Sequence, residues 1–110
     1  GRKIALLGDM LEMGVHEIEE HMALIKDLPP LSLLGLVGPR FTKAAQNVIA
    51  DDPSSLRSKF ITAPTARELV GRMNEQGFFP LTKQDIVLFK GSRGIQMEQA
   101  IYAIEDLHTA

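Results

Sequence analysis

Four short apolar runs punctuate the chain: Ile4–Leu7, Leu33–Val37, Phe60–Ile61 and Ile86–Phe89. Each is continuous rather than alternating, the pattern of strands covered on both faces, as in a parallel sheet. Phe60–Ile61 is the shortest and reads as a strand chiefly from its position. Between and after these runs, apolar residues recur at helical spacing. Ile18, Met22 and Ile25 form one stripe. Phe41, Ala44, Ala45, Val48 and Ile49 form a second, which begins behind Pro39, a favoured first helical position. Ala66, Leu69, Val70 and Met73 form a third. It opens with Thr65 three residues before Glu68, the capping-box spacing, and Gly77 follows where a left-handed C-terminal cap is expected. Met97, Ala100, Ile101, Ile104 and Leu107 form the last. Strand and helix thus alternate four times, which predicts an α/β domain. Its sheet should be mostly parallel, of at least four strands, with flanking helices and right-handed crossovers. Pro29-Pro30 and Phe79-Pro80 break the chain between helix and strand, and no linker-like stretch divides residues 1–110.

Composition narrows the function classes. Lys+Arg number 12 against Asp+Glu 14, and the pI is near 5.9. Binders of the phosphate backbone usually show a pI above about 9, so no nucleic-acid partner is expected. The absence of Cys removes disulfides, Cys-type zinc sites and thiol nucleophiles. No apolar run approaches the roughly 18 residues of a membrane span, and no charged-then-apolar leader opens the chain. A cytoplasmic setting with no membrane partner is the expectation. A hydrophobic fraction of 45% in 110 residues is enough for one unstapled core.

In an open α/β sheet, ligands gather outside the carboxyl ends of the strands. Those ends read Gly8-Asp9-Met10, Gly38-Pro39-Arg40, Thr62-Ala63-Pro64 and Lys90-Gly91-Ser92-Arg93-Gly94. The fourth is the most suggestive. Two glycines, the Ser92 hydroxyl, two cations and the start of the next helix would make an anion cradle for a carboxylate or phosphate. An ordinary strand-to-helix turn capped by Ser92 fits the same residues equally well. Asp9 directly follows a strand, the place of a functional acid or of a turn and cap. Glu12 reads as solvated, and Glu17, Glu19 and Glu20 as a helix start favoured by the dipole. His16, His21 and His108 lack metal-ligand spacing, and His21, beside an apolar stripe, reads as a hydrogen-bonded core-edge histidine. The five methionines mostly follow the stripes and read as packing. Neither a Walker A loop nor the Gly-rich dinucleotide fingerprint is present. A receiver-like phosphoacceptor domain fails as well, because Thr62-Ala63-Pro64 stands where its acid would be.

Two segments carry a family resemblance: LLGDMLEMG at residues 6–14, with His21 following, and VLFKGSRGIQME at residues 87–98. Together with LVG at 36–38, they resemble the C-terminal domain of the bacterial Mur ligases. The nearest branch is the one that adds D-alanyl-D-alanine to a UDP-N-acetylmuramoyl-tripeptide in peptidoglycan synthesis. The resemblance implies a Rossmann-like three-layer fold and a role in ATP-dependent amide ligation through an acyl phosphate. It implies that ATP and Mg are held by a central ATPase domain of the same parent chain, so that this piece alone is inactive, with no catalytic or metal-binding residue of its own. Asp9, Lys90, Gly91, Ser92 and Arg93 would bind the incoming dipeptide, Arg93 being the preferred carboxylate partner. On the same resemblance, an Asn-Pro motif and a helix would precede residue 1. Their absence would bare apolar sheet surface or an edge strand and favour self-association. Folylpolyglutamate and cyanophycin synthetases share the domain type. The alternative reading is a stand-alone, non-catalytic α/β interaction or regulatory module.

Overall fold

All four apolar runs become strands and all four stripes become helices. The computed structural model describes residues 1–56 and 58–109. Along the chain run β1 (Lys3–Gly8), α1 (Glu17–Asp27), β2 (Leu33–Val37), α2 (Pro39–Asp51), β3 (Phe60–Ala63), α3 (Ala66–Glu75), β4 (Ile86–Lys90) and α4 (Glu98–Thr109). Single-turn 3-10 helices at Gly14–His16 and Arg93–Ile95 precede α1 and α4. The strands are parallel throughout, in the order β3-β2-β1-β4.

Two apolar layers sandwich this sheet. Ala5, Leu7, Leu34 and Leu36 pack against Ile25 of α1 and Phe41, Ala44, Ala45 and Val48 of α2. The alternate residues Ile4, Leu6, Leu33 and Val37 pack against Leu69, Val70 and Met73 of α3 and Ala100 and Ile104 of α4. Continuous apolar runs in β1 and β2 are therefore what a central parallel strand requires. The helix ends follow the sequence signals. The Thr65 hydroxyl accepts the Glu68 N–H at 3.2 Å. At the other end of α3, Gly77 takes φ +80°. There Gly77 N–H donates to Asn74 and Phe78 N–H to Met73, each at 3.1 Å, a complete Schellman cap.

Two expectations give way. The strand β4 is not covered on both faces. Val87 and Phe89 pack on the α3–α4 layer, but Ile86 is 64% and Leu88 53% exposed. The apolar layer of α1 and α2 draws on β1, β2 and β3, and among the described residues no helix lies over β4 on that side. The stripe of α4 is also narrower than its spacing suggests: Met97, Ala100 and Ile104 are buried, whereas Ile101 and Leu107 face solvent.

The start of β4 is pinned to the start of β1. Asp85 accepts the Arg2 backbone N–H at 2.9 Å, the Arg2 guanidinium at 2.8 Å and the Thr82 N–H at 2.9 Å. The Arg2 side-chain hydrogen bond, followed by the backbone N–H groups of Thr82 and Arg2, holds this carboxyl well below the usual carboxylate range. A carboxyl lowered in the folded state contributes stability that is fully present above its unfolded value of about 3.9. That contribution is lost as the pH falls further toward the folded value. Asp85→Asn should therefore lower Tm at neutral pH and flatten the acid side of the Tm–pH curve below about pH 4. Parallel curves for the two proteins in thermal denaturation would refute this assignment.

Candidate functional site at the switch point

From β1 the chain steps to β2 and β3, then returns to place β4 on the other side of β1. Such a reversal leaves a crevice at the carboxyl ends of the two diverging strands, where open α/β sheets bind ligands. The loops brought together there are those after β1 and β4. They are bonded to each other: Ser92 N–H donates to the Asp9 carbonyl at 3.2 Å, and Leu11 N–H donates to Ser92 Oγ at 2.8 Å.

Glycine makes this approach possible. A Cβ on Gly91 would lie 2.8 Å from Met97 Cγ and 3.1 Å from Gly8 Cα, and one on Gly8 would lie 2.7 Å from Met97 Sδ. Gly8 and Gly91 thus serve the contact of β1, β4 and the residue before α4.

Asp9 has no exposed surface. Its Oδ2 accepts the Arg40 N–H and its Oδ1 the Phe41 N–H, each at 2.9 Å. These are orphan N–H groups of the first turn of α2, so Asp9 caps that helix from the loop after β1. Gly38, the residue at the N-cap position, has no side chain to do so. The Arg40 guanidinium closes the arrangement, with Nε on Glu17 at 2.7 Å and Nη1 3.5 Å from Asp9. The hydrogen bond to Glu17 is the largest cause of the upward shift of its pKa, with Asp9 adding to it. Of the two readings of Asp9, the cap is the one these contacts display, and it serves α2 rather than the residues that follow Asp9.

His21, read from sequence as a hydrogen-bonded residue at the core edge, is hydrogen-bonded but fully buried. Its Nδ1 is bonded to the Glu17 carbonyl and its Nε2 accepts the Met10 N–H at 2.9 Å. The ring stands edge-on to Phe41, with centroids 4.5 Å apart. Neither the Arg40–Glu17 pair nor the tie from His21 to Met10 was read from the sequence. The only signal was the four-residue spacing of Glu17 and His21 on one helix face.

The loop after β4 departs from the expected cradle. No α-helix follows it directly. Arg93–Ile95 form a 3-10 turn, Gln96 adopts a left-handed conformation with φ +55°, and α4 starts only at Glu98. The amides at the start of α4 therefore lie beyond the loop. Ser92 makes no side-chain cap to its own turn and serves Leu11 instead. Lys90, opposite Leu7 in register, borders a small apolar cleft with Met10, Leu24, Phe41 and Leu88. Arg93 is exposed and, among the described residues, forms no ion pair. A groove of about 420 Å³ lies one step away, between the start of α3 and residues 94–99. Thr65, Arg67, Gln96 and Gln99 give it polar walls, and it shares only Gly94 with the loop.

No family model matches the chain, and no curated protein matches it. Among solved structures, the MurF ligase from Thermotoga maritima in complex with ADP matches with a TM-score of 0.67 and 24% identity. The match covers 96% of this chain and 22% of that one. The chain thus has an α/β fold found in that ligase and spans about a fifth of its length.

Proposed function

We propose that this chain is the C-terminal domain of an ATP-dependent amide ligase of the Mur type, the part that receives the incoming amino component. The likeness in fold to a MurF ligase and the combined motifs at residues 6–14 and 87–98 support this reading. The observation that carries it is the meeting of those two motifs at the switch point, joined by the hydrogen bonds between Ser92 and residues 9 and 11. The amino component proposed is D-alanyl-D-alanine, to be joined to a UDP-N-acetylmuramoyl-tripeptide whose carboxylate is activated as an acyl phosphate.

The sequence has no phosphate-binding loop, and among the described residues no group of three His, Cys, Asp or Glu could hold a metal ion. On this reading ATP and magnesium belong to the ATPase domain of the parent chain, and this piece alone does not ligate. The role left to it is to bind and orient the dipeptide. Arg93, exposed and free of ion pairs among the described residues, would meet its carboxylate; Ser92 and Lys90 would flank it.

Titration of the chain with D-alanyl-D-alanine, followed by backbone NMR, tests the reading. Shifts should concentrate at residues 90–93, and Arg93→Ala should weaken binding by about ten- to a hundred-fold, as for one lost charge-assisted hydrogen bond. An absence of shifts at saturating dipeptide, or an Arg93→Ala variant that binds normally, would exclude this role.

A further inference from the structure

Three consecutive residues after β1 are each held by a different element. The Asp9 carboxylate is held by α2, the Met10 N–H by His21 of α1, and the Leu11 N–H by Ser92 after β4. The last two bonds are 2.9 and 2.8 Å long and fall on adjacent peptide groups. Because each peptide is planar, only the two soft dihedrals of Met10 separate them, and fixing one N–H restricts the direction of the next.

We infer that His21 is a positioning residue for Ser92, acting through the Met10 and Leu11 peptides. The ring suits this task. A carbonyl can only accept, so Nδ1 carries the proton given to Glu17, and Nε2 is left as the acceptor for Met10. Burial and the edge contact with Phe41 keep the imidazole from turning. At the far end of the relay, Ser92 Oγ accepts from Leu11, and among the described residues no hydrogen bond uses its own proton. That proton is available to an oxygen acceptor of a bound ligand, such as a carboxylate. For that ligand the inference rests on the function proposed above; the relay itself does not.

Two substitutions separate the ring's two bonds. His21→Asn retains a group near Nδ1 but cannot reach Met10, whereas His21→Gln can place an acceptor where Nε2 lies. Amide hydrogen exchange of the whole chain, read residue by residue by NMR, is the measurement. In His21→Asn, protection of Met10 and Leu11 should fall by about ten-fold relative to Leu36 in central β2, the scale of one lost hydrogen bond. His21→Gln should restore most of it. Ser92→Ala should loosen Leu11 in the parent protein but add little in the His21→Asn background. Unchanged protection of Leu11 in His21→Asn, or identical behaviour of the Asn and Gln variants, would overturn the inference. Should His21→Asn not fold, a His21→Gln variant whose Leu11 exchanges as fast as in Ser92→Ala would overturn it equally. Failure of the dipeptide titration with this exchange pattern intact would remove the ligand reading alone.

Discussion

Asp9→Ala is expected to destabilise the chain by about 3 kcal/mol, since each hydrogen bond to a charged group contributes roughly 1.5–3 kcal/mol and the two share one carboxylate. The residue has no exposed surface, so water cannot readily replace what is lost. The Arg40 and Phe41 N–H groups would be left without acceptors at the start of a helix whose own N-cap residue is glycine. Arg40 would keep Glu17 but lose its second carboxylate. For a domain of this size each kcal/mol corresponds to about 4–8 °C, so Tm should drop by roughly 12–24 °C. Asp9→Asn should recover less than half of this, because its amide nitrogen would turn a donor toward a donor. Chemical denaturation reads the loss directly. A cost below about 1 kcal/mol would mean that solvent or a shifted side chain caps α2 in place of Asp9.

Gly38→Ala should cost still more, about 3–5 kcal/mol. Gly38 takes φ +105° with ψ 164°, a region that is essentially restricted to glycine and costs other residues roughly 1–3 kcal/mol. The added methyl would also sit 2.4 Å from Asp9 Cγ and 2.5 Å from Oδ2, forcing the buried carboxylate off the helix end. Against a typical total stability of about 5–15 kcal/mol, that is enough to populate the unfolded chain visibly. The two substitutions remove the same interaction, so Asp9→Ala combined with Gly38→Ala should cost less than their sum. Strict additivity in denaturant titrations, or a Tm for Gly38→Ala within a few degrees of the parent, would show that the clash is relieved by a cheap backbone shift.

The architecture was readable from the chain because its signals are local. Thr65 with Glu68, Pro39 and Gly77 each act within one turn, and each does in the structure what its position predicts. The apolar runs located all four strands, but a run alone cannot reveal what lies over each face. Ile86 and Leu88 look like Leu34 and Leu36 in sequence, yet they lie on an edge strand with one face bare, whereas β2 is central and covered on both faces. The site was half legible for a related reason. That the loops after β1 and β4 matter follows from strand ends and motifs, yet their adjacency depends on strand order, which no local pattern encodes. Asp9 could be recognised as a special acid. Its duty to α2, 31 and 32 residues away, could not, and neither could the exchange of Ser92 from a local cap to a tie with Leu11.

The strand order also sets a timetable. During synthesis, β1, β2 and β3 emerge in sequence, and each can pair with its neighbour across a short connection. The partner for the other side of β1 arrives only with Ile86–Lys90, after β2, β3 and the three α-helices between β1 and β4 have been made. Contacts of such high sequence separation close late, because loop entropy must be overcome before they contribute. The central strand therefore waits with one edge unsatisfied, and the crevice between the loops of Asp9 and Ser92 does not exist until β4 joins. A chain stalled before residue 86 would hold helices α1, α2 and α3 on a three-stranded sheet and would have no switch point at all.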